Sequence, residues 1–134
     1  MASYSSYRKL RILIADDSAF IRVRLAGMLD SIDGVEVVGD AESMHGAVAA
    51  ITELKPDIVI LDLHLSDGSG LEVLAQVQAE RPGLKAIVLT NYPLPAYRDR
   101  CRDLGTEYFF DKSTEFAQAV ELVRQLAAGL DRQE

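Results

Sequence analysis

An α/β fold built on a parallel five-stranded sheet is the architecture this sequence predicts, and three observations carry it. Short apolar, strand-like runs alternate five times with segments of helical periodicity. One run, Ile58-Val59-Ile60-Leu61, is apolar at four successive positions, which suits a strand covered on both faces. Three runs, LRILIADD, DIVILD and KAIVLT, end on acidic or hydroxyl residues, and a fourth, EYFFDK, ends on lysine. In a parallel sheet those ends open onto one edge, where ligands bind.

The elements follow in order. A strand over 10–15 leads to Ser18, a good N-cap, and a helix with Ile21, Leu25 and Met28 on one stripe. Asp33-Gly34 turns into a second strand, Val35 to Gly39. Ser43 caps a second helix whose Ala47, Val48, Ile51 and Leu54 share a face. It stops before Pro56, because a residue preceding proline avoids the α region. After the third strand, Ser66-Asp67-Gly68-Ser69-Gly70 forms a turn, and Leu71, Leu74 and Val77 mark a helix ending before Pro82. The fourth strand, 85–90, meets a loop containing Pro93 and Pro95. The following helix is stopped by Gly105 at its C′ position. A last strand over 107–111 precedes a helix capped by Ser113 or Thr114 and carrying Phe116, Val120, Val123 and Ala127.

Length and composition bound the function. The 134 residues make one domain, expected as a flexible segment over 1–9 and a folded unit over 10–130. Apolar residues make up 49% and charged residues 26%, ordinary for a globular protein. Apolar runs of a few residues cannot cross a membrane, and the polar opening MASYSSYRK lacks the apolar stretch of a secretory signal. The net charge of −7 argues against direct nucleic-acid binding. Arg22, Arg24, Arg98, Arg100 and Arg102 read as solvated helix faces. A single cysteine, Cys101, excludes an internal disulfide, fits a reducing cytoplasm and reads as a buried structural thiol. His45, on a surface helix, reads as having no role.

The chemistry lies at the strand ends. Asp16, Asp17, Asp62, Thr90 and Lys112 converge at the carboxyl edge. Clustered carboxylates resist ionising together unless a cation is present. Mg²⁺ prefers oxygen ligands and keeps several waters, so two carboxylates, a carbonyl and waters suit it. A hydroxyl and an ammonium beside them would hold a transferring phosphoryl group, with an aspartate as nucleophile. Asp57, at the start of its strand, falls at the opposite edge.

Over residues 9–130 the chain resembles the receiver domain of two-component response regulators, of the chemotaxis-regulator-like kind, through ILIADDSAFIR, VILDLHLSDGSGLEVL, IVLTN and GTEYFFDKS. The resemblance implies a doubly wound, flavodoxin-like fold with strand order 2-1-3-4-5. It implies Asp62 as phosphoacceptor, modified by a phosphohistidine of a histidine kinase or a histidine phosphotransfer protein. Asp17 and Asp62 would hold Mg²⁺ with the backbone carbonyl of His64, and Asp16 would act through water. Thr90 and Lys112 would bind the phosphoryl group, with Thr90 and Phe109 as switch residues. His64, Asn91 and Tyr92 would border the site. It further implies a cytoplasmic module that turns over nothing but its own phosphate, either monomeric or dimerising on phosphorylation. Its protein target would dock on the fourth helix, fifth strand and fifth helix, with no nucleic-acid or membrane contact.

Departures from that pattern carry expectations of their own. Asn91 stands where a small residue is usual, and Ser66 where proline is common. Asp111 replaces an apolar residue and is expected to act as a local partner at the sheet edge. Ser113 follows Lys112 where proline usually follows across a cis bond, and a cis Lys112–Ser113 bond would cost about 3 kcal/mol. Three other functions compete: a receiver-like scaffold that Asn91 bars from phosphorylation, the receiver half of a longer transcription factor, and a haloacid-dehalogenase-type phosphatase. The last needs a second aspartate two residues after the nucleophile, where His64 stands.

Overall fold

Strands that are apolar on both faces need helices on both sides, and this requirement organises the molecule. The computed structural model describes residues 8–106 and 108–132. Of the opening segment expected over 1–9, residues 1–7 lie outside those described, and so does Glu107, where the sequence predicts the last strand to begin. Five strands, β1 (Leu10–Ala15), β2 (Val35–Ala41), β3 (Ile58–Leu61), β4 (Lys85–Thr90) and β5 (Tyr108–Asp111), form one parallel sheet in the order β2-β1-β3-β4-β5. The helices are α1 (Ala19–Asp30), α2 (Met44–Leu54), α3 (Gly70–Glu80), α4 (Pro95–Asp103) and α5 (Phe116–Arg132). The doubly wound architecture and its strand order match the expectation.

Alternation along the strands sorts the core into two halves. Ile12, Ile14, Ile58, Ile60, Ile87 and Leu89 face α1 and α5, where Leu25, Leu29, Val120 and Val123 meet them. Leu13, Ala15, Val59, Leu61 and Val88 face α2, α3 and α4, against Ile51, Val73, Leu74 and Val77. Each fully buried aliphatic side chain contributes about 1.5–3 kcal/mol. Cys101 belongs to the second half and is fully buried, and that burial pushes its thiol up to about 11 against the pull of Arg98.

Local chemistry sets the boundaries. Ser18 and Ser43 cap α1 and α2, their hydroxyls accepting from the amides of Ile21 and Gly46. Lys55 adopts left-handed φ 50° and ends α2 ahead of Pro56. Gly105, at φ 95°, makes the turn that ends α4.

Several details correct the sequence reading. The α1 stripe centres on Leu25 and Leu29, with Ile21 and Met28 only partly buried. Strand β2 runs two residues further, to Ala41. The turn after β3 contains a small antiparallel ladder pairing His64–Leu65 with Gly68–Ser69. Neither Ser113 nor Thr114 caps α5, which starts at Phe116. Glu115 holds the position before it: its carbonyl accepts from Ala119 and its carboxylate from the Asp111 amide. Arg22 is not a solvated side chain; it is 17% exposed and pairs with Asp40 at 3.1 Å. Arg24 and Arg98 lie over the Phe116 and Phe109 rings, at 4.3 and 4.5 Å from their centroids. His45 has a partner after all, its Nδ1 lying 2.6 Å from Asp67. Asp67 also accepts from the amides of Met44 and His45. Those bonds hold its carboxyl down at about 2 and tie the β3–α3 loop to the start of α2.

Candidate functional site

Strand β1 runs out at Ala15 and β3 at Leu61, so the next residues, Asp16 and Asp62, leave the sheet side by side. Their separation along the chain is irrelevant, because β1 and β3 are hydrogen-bonded neighbours in register from Ile12↔Ile58 to Ala15↔Leu61. Carboxylate oxygens of Asp16, Asp17 and Asp62 all lie within 4.8 Å of one another. Lys112 arrives from the end of β5, its amide bonded to the Thr90 carbonyl at 2.8 Å. Its Nζ donates to Asp16 Oδ2 at 2.7 Å and to Asp62 Oδ2 at 3.0 Å. The structure therefore brings these four charged residues together.

Burial sets the energetics. Asp16, Asp62 and Lys112 are each at most 9% exposed, whereas Asp17 is exposed. Burial pushes the Asp16 carboxyl above its ordinary value, opposed by the hydrogen bonds from Lys112 and from the Ser18 amide. Burial alone would lower Lys112, but the carboxylates of Asp16 and Asp62 outweigh it and raise the ammonium above its usual value. Three carboxylates face one ammonium, which leaves an excess of negative charge that a divalent cation would balance.

The free valences are unequal. Asp16 accepts once at each oxygen, from the Ser18 amide at 2.9 Å and from Lys112, and Asp62 likewise accepts Lys112 at Oδ2. Asp62 Oδ1 accepts the His64 amide at 3.2 Å. Among the described residues, Asp17 has no side-chain hydrogen bond, so its oxygens face the cavity. Hard oxygens in this arrangement fit a cation such as Mg²⁺.

The cavity measures about 450 Å³ and is lined by Asp17, Ser18, Ile21, Asp62, His64, Asn91, Tyr92 and Lys112. A larger one, about 620 Å³, lies at the opposite edge around Arg8, Ser31 and Arg124, away from the acidic cluster. Asn91 and Tyr92 are exposed at the mouth, and the Tyr92 and His64 rings meet with centroids 4.2 Å apart. Thr90 is fully buried and its Oγ1 accepts the Tyr92 amide at 3.1 Å. Phe109 is 7% exposed beneath Arg98, on the sheet face that carries α4. Asp111 stays outside the cavity. Its carboxylate accepts from the Ser113 amide and hydroxyl, and these bonds lower its pKa. Among the described residues no peptide bond is cis, so Lys112–Ser113 is trans.

Two contributors escaped the sequence reading. The Ser18 amide orients Asp16, a role that only the cap position of Ser18 could have signalled. Gly70 packs against the Asp62 backbone, where an added Cβ would fall 2.3 Å from the Asp62 carbonyl oxygen. Its place at the end of the glycine-rich turn was the signal for that close approach.

Comparisons with known proteins agree with this fold. The family described as the response regulator receiver domain matches residues 12–124. The response regulator protein VraR of Staphylococcus aureus is similar at 29% identity over 120 residues, covering 90% of this chain. This chain spans only 57% of the length of those curated relatives. The response regulator domain of Thermotoga maritima CheB superposes with a TM-score of 0.79 at 26% identity, covering 93% of this chain and 98% of that one. The fold is shared as well with CheY of Borrelia burgdorferi, in a structure that contains CheX, BeF3 and magnesium. There the TM-score is 0.82 at 22% identity, with 92% of each chain covered.

Proposed function

The chain belongs to the response regulator receiver domain family of two-component signalling, and on that premise we propose that Asp62 accepts a phosphoryl group from a phosphohistidine. Receiver domains are signalling modules, so the consequence of the transfer is a change of shape and partner. The observation that carries the reading is the buried Lys112 ammonium, shared between Asp16 and Asp62 beside an exposed Asp17 whose side chain has no partner among the described residues.

The carboxylates of Asp17 and Asp62, with the His64 carbonyl, would hold Mg²⁺, and Asp16 would act through water. When bound, the metal neutralises charge on the transferring oxygens. Asp62 attacks phosphorus: an oxygen–phosphorus bond forms, and the nitrogen–phosphorus bond of the donor breaks. The imidazole leaves with the electron pair and is protonated by solvent. Lys112 pairs with the phosphoryl oxygens, and Thr90 turns its hydroxyl from the Tyr92 amide toward them. That movement alters the packing behind Phe109, which lies under Arg98 of α4, and so couples the site to the face made by α4, β5 and α5. Phosphorylation shifts the two states only by its differential interaction with them.

In this reading the folded unit is 10–130, working in the cytoplasm. It takes its phosphate from a histidine kinase or phosphotransfer protein and contacts no nucleic acid itself. It is monomeric, or dimerises once phosphorylated. A second reading, the receiver half of a longer regulator, is favoured by the greater length of the curated relatives. The reading frame beyond Glu134 tests that alternative.

The phosphoacceptor role is tested with beryllofluoride and Mg²⁺, followed by amide NMR shifts. The wild-type chain should show a Mg²⁺-dependent change, Asp62→Asn none, and Lys112→Ala should keep Mg²⁺ binding while losing most of the response. A wild-type chain indifferent to beryllofluoride would instead support the phosphorylation-independent scaffold.

A further inference from the structure

We infer, on the reading that Asp17 and Asp62 hold Mg²⁺, that Arg22 is a positioning residue that aims Asp17 by gripping the main chain of Asp16. Arg22 lies one turn into α1, its amide bonded to the Ser18 carbonyl at 3.0 Å. From there its side chain folds back over the start of the helix. Nη1 donates to the Asp16 carbonyl at 2.8 Å, and Nε donates to Asp40 at the end of β2 at 3.1 Å.

That carbonyl belongs to the peptide plane joining Asp16 to Asp17. The peptide unit is rigid, so fixing its oxygen limits where the Cα of Asp17 can lie. The rest of Asp16 is equally constrained. Its amide donates to the Ala41 carbonyl at 3.0 Å, and its carboxylate accepts from the Ser18 amide and Lys112. Asp17 has no such anchors on its side chain among the described residues, so its direction is inherited from the backbone. Arg22 supplies the hold on the one main-chain group of Asp16 that the sheet leaves free.

Charge and geometry make opposite demands here, which makes the inference testable. If Arg22 mattered only as a cation near three carboxylates, removing it would strengthen Mg²⁺ binding by relieving repulsion. As a positioning residue, its removal weakens binding. Residues that orient metal ligands typically change affinity 10- to 100-fold, and the exposed setting of Asp17 places this case near the lower end, about 10-fold.

The experiment is a Mg²⁺ titration of Arg22→Gln, Arg22→Lys and Asp40→Asn by calorimetry, with amide hydrogen exchange at Asp16 and Ser18, whose amides are hydrogen-bonded, in the metal-free protein. Arg22→Gln should weaken Mg²⁺ binding about 10-fold and speed exchange at both amides. Arg22→Lys should recover part of the loss, because it can reach the carbonyl without bridging to Asp40. Asp40→Asn, at an exposed position, should speed exchange in the same direction by less; because it also removes a negative charge, its exchange and not its Mg²⁺ affinity decides the question should Arg22→Gln fail to fold. Unchanged or tighter Mg²⁺ binding in the Arg22 variants, with exchange at Asp16 and Ser18 unaltered, overturns the inference. Loss of thermal stability with full Mg²⁺ affinity also overturns it. A wild-type chain that does not bind Mg²⁺ overturns the metal-site reading instead, and the exchange arm still tests the grip on Asp16.

Discussion

The two edges of the sheet both carry aspartates, and they treat them in opposite ways. At the amino edge Asp57 is used up by the fold. Its carboxylate accepts the Arg11 amide at 2.8 Å and meets Arg8 at 3.3 Å, linking the starts of β1 and β3. At the carboxyl edge Asp16, Asp17 and Asp62 crowd together, share one ammonium and leave Asp17 without a partner among the described residues. A carboxylate that completes a backbone bond lowers the energy of the native state directly. Carboxylates that crowd one another raise it unless something else arrives. What separates a structural aspartate from a functional one is therefore its unmet demand, since residue type and strand-end placement are the same.

The largest expected effect tests how much of that demand Lys112 meets. Lys112→Met leaves two buried carboxylates facing each other, and breaking a buried pair in this way costs about 3 kcal/mol or more. Urea unfolding without Mg²⁺ should show that loss, and saturating Mg²⁺ should restore part of it. A loss that Mg²⁺ leaves untouched would mean that the ammonium supports packing rather than charge. Asp57→Ala should cost about 1 kcal/mol and leave Mg²⁺ affinity unchanged. Any change in that affinity would erase the distinction between the edges.

The smallest effect concerns a further carboxylate, Asp67, which the fold also satisfies. Its folded-state value of about 2 lies below the ordinary 3.8, so its contribution is complete above about pH 4 and drains away as the pH falls toward 2. Exchange of the Met44 and His45 amides should quicken over that window, while exchange in β3 stays slow. A midpoint near 4 would show that the clamp on α2 does not form in solution.

The sheet was legible because its signals are local and repeated. Strands β1, β3 and β4 fall where the apolar runs place them, and the convergence of strand-end residues needs only parallel order to be inferred. What stayed hidden depends on long-range partners or competition among neighbours. Ser113 has the right side chain for a cap, yet its amide and hydroxyl are taken by Asp111, and the helix starts after Glu115. Arg22 reads as solvated because its partner, Asp40, belongs to strand β2 and no helical spacing reveals it. The two-residue ladder at His64–Leu65 is too short for any period to announce it. The positions of Asp16, Asp62, Thr90 and Lys112 could be read from sequence alone. The hydrogen-bond hierarchy that leaves Asp17 free among the described residues could not.

Gly70 gives that hierarchy a practical edge. Because its backbone rests against the Asp62 carbonyl, even a single methyl group placed there acts as a wedge under the proposed phosphoacceptor, with no alteration of charge or of the proposed metal-binding groups. The first turn of α3 thus serves as the anvil on which the neighbouring loop is shaped, and an inactivating lesion at this spot would be invisible to any inspection confined to acids, lysines and hydroxyls.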